Sequence, residues 1–140
     1  TLFCISSNKV QDAIKVLQYS MRGINFGAVK LITHEDPGNI PEGIEFSKCY
    51  EIKSIHDYNY YCIYNLFKHI DTDYCLLIQP DGFVINPDKW DDDWFNYDYI
   101  GASWGDGSVG NGGFCLRSRK LYDAFIDMEI KHSTFIIWRY

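Results

Sequence analysis

No stretch of the sequence approaches the ~20 consecutive apolar residues that a membrane-spanning helix needs. No signal-peptide pattern opens it either, so a cytoplasmic location is the expectation. Positive charge is in short supply. Lys and Arg number 13 against 19 Asp and Glu, for a net charge of −6. Bare nucleic acid demands a surplus of cations to neutralise its phosphates, so that class of partner is excluded. A nucleotide-sugar is a different case: it carries only a diphosphate, which one divalent ion can neutralise. Cysteine pairing is also missing. The five cysteines, Cys4, Cys49, Cys62, Cys75 and Cys115, are odd in number and form no C-x-x-C. Four lie in apolar stretches, and all read as buried free thiols in a reducing compartment. His34, His56, His69 and His132 lack zinc-ligand spacing. There is no G-x-S-x-G nucleophile elbow, no G-x-G-x-x-G, no P-loop, no internal repeat and no low-complexity segment.

What is present is a core. Hydrophobic residues make up 46% and aromatics 17% of 140 residues, which excludes a disordered chain and suits a single domain over 1–140. Aromatics at this density serve either a thick core or a site that stacks on bases and sugar rings. The chain opens with Thr, inside a strand-like segment, and closes inside another. That suggests a trimmed chain or part of a longer polypeptide.

Local pattern gives the elements. Leu2-Phe3-Cys4-Ile5 reads as a buried strand. Asn8, with Gln11 three residues on, offers a capping box for a helix through Val10, Ile14, Leu17 and Met21, which Gly23 stops. Residues 28–32 form a second strand, so the chain starts β-α-β. A short strand is expected over 46–50. Ser54 and Asp57 open a second helix, expected to run to about Ile70. Tyr74-Cys75-Leu76-Leu77-Ile78 is continuously apolar, the mark of a central strand covered on both faces. Residues 83–85 resume strand character. Strands are further expected over 97–102, 114–117 and 135–138. Residues 104–113 carry no expected regular structure, and Ser118 caps a third helix through Leu121, Tyr122, Phe125 and Met128. The pattern predicts an α/β, Rossmann-like sandwich with a mostly parallel central sheet flanked by helices.

In such sheets ligands bind at the carboxyl ends of the strands. That places Ser6, Ser7, His34, Gln79, Asp81 and the glycine-rich loop at the expected site. Gln79-Pro80-Asp81-Gly82 puts a carboxylate beside a flexible glycine, able to reach a divalent ion that bridges two phosphates. The alternative is an ordinary turn carboxylate. In Val109-Gly110-Asn111-Gly112-Gly113, glycines allow close backbone approach to a sugar or phosphate, and Asn111 offers both donor and acceptor. The alternative is a plain connector. Arg117 either faces a phosphate or lies on the surface. Trp90-Asp91-Asp92-Asp93-Trp94 is a solvated acidic loop anchored by its tryptophans or, less simply, a cation site. Trp104 either stacks on an acceptor sugar or fills the edge of the core.

Three runs then carry a family resemblance. They are the segment from Tyr74 through Gln79-Pro80-Asp81-Gly82-Phe83-Val84 to Pro87, Tyr97-Asp98-Tyr99-Ile100-Gly101-Ala102, and Val109-Gly110-Asn111-Gly112-Gly113-Phe114-Cys115-Leu116-Arg117-Ser118. With Asp57-Tyr58-Asn59, they resemble a widespread glycosyltransferase-like domain of formally unknown function. The likeness is close over 55–128 and looser over the β-α-β start. It implies a GT-A fold and sugar transfer from a nucleoside-diphosphate-sugar, UDP-sugar foremost, to a glycan or other hydroxyl acceptor. It matches Gln79 and Asp81 to a D-x-D-like site, with Asp81 on a manganese or magnesium ion. It matches Tyr58 and Asn59 to the nucleotide-facing helix start, Asn111, Gly112 and Gly113 to the acceptor-side loop, and Trp104 to that loop's tryptophan. Ser6, Ser7 and His34 are expected to border the base and ribose. Two departures stand out. The family's acidic pair after the last helix is replaced by His132-Ser133-Thr134-Phe135, and the chain stops before a further metal-site histidine. A non-catalytic sugar-nucleotide or glycan-binding module is therefore the alternative. The sequence leaves the general base and the oligomeric state open.

Overall fold

The computed structural model of the chain describes residues 1–128. The strand expected over 135–138 and the stretch His132-Ser133-Thr134-Phe135 lie outside them. Six strands form one sheet: β1 (Leu2–Ile5), β2 (Val29–Thr33), β3 (Glu45–Lys48), β4 (Tyr74–Ile78), β5 (Tyr99–Ala102) and β6 (Asn111–Ser118). Their order is β3-β2-β1-β4-β6-β5. β3, β2, β1 and β4 run parallel, while β6 is antiparallel to both β4 and β5. The chain is thus an α/β protein with a mostly parallel sheet between helices.

Alternation along the strands sets up two cores. Leu2, Cys4, Leu31, Leu76, Ile78 and Leu116 face α1 (Val10–Ser20), which buries Ala13, Ile14, Val16 and Leu17 at helical spacing. Phe3, Ile5, Ile32, Cys75, Leu77 and Cys115 face α2 (Ile55–Tyr64) and α3 (Arg119–Asp127), through Tyr58, Tyr61, Cys62 and Tyr122. β1 and β4, buried on both faces, are apolar throughout for that reason. Fully burying one Leu or Phe side chain stabilises by about 1.5–3 kcal/mol, so these two layers supply most of the drive to fold.

Several boundaries differ from the sequence pattern. α1 is capped at Lys9 without any side-chain cap, and Ser6 Oγ instead accepts from Lys9 N at 3.0 Å. Asn8 is therefore part of the turn rather than the cap. α2 has the expected capping box, with Asp57 N donating to Ser54 Oγ at 3.2 Å and Asp57 Oδ2 accepting from Ser54 N at 2.9 Å. It does not run to Ile70, however. It ends at Asn65 and resumes as a 3-10 turn over Leu66–His69. Residues 83–85 pair with no strand. Residues 111–113, expected to be irregular, extend β6 backwards. Ser118 caps α3 as expected, accepting from Leu121 N at 3.1 Å. All five cysteines are free and buried, and burial lifts the thiols of Cys4, Cys62 and Cys75 to about 12. They are inert core groups.

Candidate functional site

The carboxyl ends of β1 and β4 lie side by side because Cys4 pairs with Ile78 in parallel register. Above them opens a cavity of about 770 Å³, within the size range of small-ligand sites. Ser6 and Ser7 line it from the end of β1, Tyr58 from α2, and Gln79, Pro80 and Asp81 from the turn after β4. That turn is tight: Gln79 N donates to Gly82 O at 2.9 Å and Gly82 N to Gln79 O at 3.0 Å. Pro80 and Asp81 form its tip, where proline's fixed φ and missing N–H cost nothing. Asp81 is exposed at the tip, and its charge adds to burial in raising the Cys4 thiol below it.

The two serines are partly committed. Ser6 Oγ holds the first turn of α1, and Ser7 Oγ accepts from Ile52 N at 2.8 Å, tying the approach to α2 onto the end of β1. Each keeps its O–H free to donate. Tyr58 is only 9% exposed, and its hydroxyl has no hydrogen-bond partner. Gln79 and the Cys62 thiol stand beside it, neither forming a bond of good geometry. Burial raises the Tyr58 pKa well above the ordinary phenol value, so it remains a neutral donor.

The glycine segment borders this cavity through a bulge. One step along β5, Gly101 to Ala102, is matched by four along β6, from Cys115 back to Asn111. The excess residues fold over the α2 face. Asn111 Oδ1 accepts from Gly113 N at 3.0 Å, and Asn111 O accepts from Tyr99 Oη at 3.1 Å. A Cβ on Gly113 would fall 2.7 Å from Gln79 Oε1, so the missing side chain lets the Gln79 amide rest against β6. A Cβ on Gly82 would make ordinary contact, 3.4 Å from Phe114 Cβ and 3.7 Å from Gly113 O, so the turn and the bulge lie side by side there.

Six residues of the expected site stand apart from the cavity lining: Asn111, Gly112 and Gly113 in the bulge, and His34, Asn59 and Trp104. His34 follows β2, with its Nδ1 buried and unpartnered. Asn59 lies half-buried on α2. Trp104 is 52% exposed in a turn where its N–H donates to Ser108 O at 2.8 Å. Arg117, expected at a phosphate or on the surface, is at neither. It is 8% exposed, with Nε donating to Cys115 Sγ at 3.2 Å and Nη1 to Cys62 O at 3.1 Å and Tyr122 Oη at 3.0 Å. Burial opposes its charge, but Tyr122, Cys115 and Cys62 outweigh that and hold its pKa above the ordinary value.

Sequence reasoning missed the lysines. Lys9, Lys15 and Lys53 line the cavity together with Asp12 and Asp81, so ammonium groups meet carboxylates along its wall. Lys15 pairs with Asp12 at 3.3 Å and Lys53 with Glu51 at 2.9 Å. No sequence signal marks these lysines, because only the fold brings them to one rim. Two other cavities, of about 670 and 410 Å³, flank Trp90 on the α1 face of the sheet. Among the described residues, their charged lining side chains are Asp73 and Asp92, which repel anions.

Among the described residues no group of three or more His, Cys, Asp or Glu side chains could hold a metal ion. Asp91, Asp92 and Asp93 are exposed and cap their own turn, with Asp91 Oδ1 accepting from Asp93 N and Asp92 Oδ1 from Trp90 Nε1, both at 3.0 Å. The donor set at Asp81 fits an ion that arrives with phosphates, which needs only one or two protein carboxylates. It does not fit an ion caged by protein alone. No described helix is long and apolar enough to cross a membrane.

Residues 42–135 match a family described as "Protein of unknown function (DUF5672)". No curated protein is similar to the chain in sequence. Among solved structures, the glycosyltransferase GlyE of Streptococcus pneumoniae TIGR4 is similar with a TM-score of 0.54 at 16% identity, over 97% of this chain and 40% of that one. The apo form of GlyE gives a TM-score of 0.47 at 15% identity, over 94% and 40%. The chain therefore spans 40% of the length of GlyE, and what the two share is the fold.

Proposed function

Since the chain belongs to the DUF5672 family and carries a fold found in a glycosyltransferase, we propose that it is the donor-binding part of a glycosyltransferase using a nucleoside-diphosphate-sugar, UDP-sugar foremost. One observation carries this reading. The cavity at the ends of β1 and β4 gathers Asp81, Gln79, an unpartnered Tyr58 hydroxyl and lysine charge at one place.

Each residue then has work to do. Lys9 and Lys53 lower the cost of bringing in a diphosphate. The free O–H groups of Ser6 and Ser7 donate to ribose or phosphate oxygens. Tyr58 Oη gains the hydrogen bond it lacks, which returns the penalty of burying it bare. Asp81, with the Gln79 amide oxygen, would hold a manganese or magnesium ion brought by the diphosphate. When bound, that ion neutralises the charge that develops on the departing nucleoside diphosphate. Asn111 and the glycine bulge, packed against Gln79, orient the sugar or the acceptor hydroxyl. His34 and Asn59 lie just behind this lining, and Trp104 is free to meet an acceptor.

A non-catalytic nucleotide-sugar-binding module is the second reading. It is favoured by the cavity's carboxylates: Asp12 pairs with Lys15, which leaves Asp81 without a companion acid or base. Calorimetric titration with UDP, with and without manganese, tests the common core of both. Binding that strengthens with manganese and loses that gain in Asp81→Ala supports it. No binding in either condition contradicts it. Release of free sugar from a UDP-sugar then separates enzyme from binding module.

A further inference from the structure

Arg117 is a cation in the core with no carboxylate partner among the described residues. Its bonds run to a thiol, a carbonyl and a phenol, and its Cζ lies 5.6 Å from the Tyr99 ring and 6.0 Å from the Tyr122 ring. Burial opposes this charge, and the phenol and sulfur groups around it offset that without a carboxylate. The guanidinium shares its charge over three nitrogens, and the third of them faces the glycine bulge. Nη2 takes part in none of these bonds and lies under the bulge, where a Cβ on Gly112 would come within 3.1 Å of it. The next residue, Gly113, abuts Gln79, which lines the cavity. One backbone segment thus separates the charge from the cavity wall. The lining lysines Lys15 and Lys53 are mostly exposed and screened by solvent, whereas a charge in the core is not.

We infer that Arg117 is a positioning residue of this site: its guanidinium props the Asn111-Gly112-Gly113 bulge against Gln79 and supplies the unscreened positive charge that favours a nucleoside diphosphate over its neutral nucleoside. The inference rests on the cavity being a nucleoside-diphosphate site. The incoming diphosphate supplies the counter-charge that the fold withholds.

Affinities for UDP and for uridine, measured by calorimetry on the full chain, test it. Arg117→Met should weaken UDP about tenfold, the order expected of one unscreened charge acting through protein, and leave uridine within about twofold. Arg117→Lys keeps the charge and should recover most of the UDP preference. Equal losses for UDP and uridine would make Arg117 a structural tie alone and overturn the inference, as would unchanged UDP affinity in Arg117→Met. Should Arg117→Met not fold, Gly112→Ala carries the test, because its methyl must push the guanidinium tip aside. It should narrow the preference for UDP over uridine, and an unchanged preference overturns the inference. A wild-type chain that binds neither compound overturns the site reading and this inference together.

Discussion

At the scale of single residues, the site is built from groups whose local chemistry is incomplete. Tyr58 Oη is the clearest. A buried hydroxyl without a partner costs about 1–3 kcal/mol, so Tyr58→Phe should leave the free protein as stable or up to about 1 kcal/mol more stable. The same change should weaken UDP binding several-fold. Urea denaturation and calorimetry read the two effects, and a parallel loss of stability and affinity would show that the hydroxyl serves the fold. Gly113 is constrained by approach rather than by backbone angle. Gly113→Ala would place a methyl 2.7 Å from Gln79 Oε1 and 3.3 Å from Asn111 Oδ1, displacing both side-chain tips. Weaker UDP binding with a stability loss of at most about 1 kcal/mol is expected. Gly105→Ala, with nothing within 4 Å of the added atom, should change neither. Asp81 and Gln79 were legible in the sequence because the apolar run of β4 announces its own end. Arg117 was not. Its carbonyl partner, Cys62, comes from α2, 55 residues back, and a strand arginine gives no sign that this carbonyl and the Tyr122 phenol await it inside.

At the scale of elements, the helices follow their caps. Ser54→Ala removes the oxygen that holds Asp57 N and should cost about 1 kcal/mol, read as a lower urea midpoint. The break in α2 at Asn65 was hidden because Tyr61, Leu66 and Ile70 keep an apolar spacing across it; tertiary contact decides between α and 3-10 geometry there. Backward growth of β6 through Asn111 was hidden for a similar reason, since Ala102 of β5 supplies the pairing. The 3-10 turn after α2 also carries a pH response. His69 Nε2 lies 2.6 Å from Tyr61 Oη, and burial, helped by the charges of Lys30 and Lys68, lowers its pKa below 6.5. The unfolded chain therefore takes up this proton first. The stability that depends on neutral His69 is complete above about pH 6.5, and it is lost as the pH falls through the lower folded value. His69→Gln should show a smaller drop in urea midpoint between pH 7 and pH 5 than the wild type, and equal drops would contradict the assignment.

At the scale of the whole molecule, the order β3-β2-β1-β4-β6-β5 explains why the candidate site lies at one end of the sheet. Parallel β1 and β4 deliver Ser6 and Gln79 to the same rim, and antiparallel β6 brings its glycine bulge back to meet Gln79. The α/β class was readable from the hydrophobic runs alone. The row of lysines on the rim was not, because Lys9 and Lys53 are distant in the chain and only the fold brings them to one cavity. The central claim is that this rim, rather than the apolar clefts around Trp90, receives a nucleoside diphosphate. Crystals soaked with UDP and manganese test it most directly. The account predicts diphosphate density between Asp81 and Lys9, with an anomalous manganese peak beside the Asp81 carboxylate. UDP lodged against Trp90, or a cavity at Asp81 left empty at saturating UDP, would contradict it.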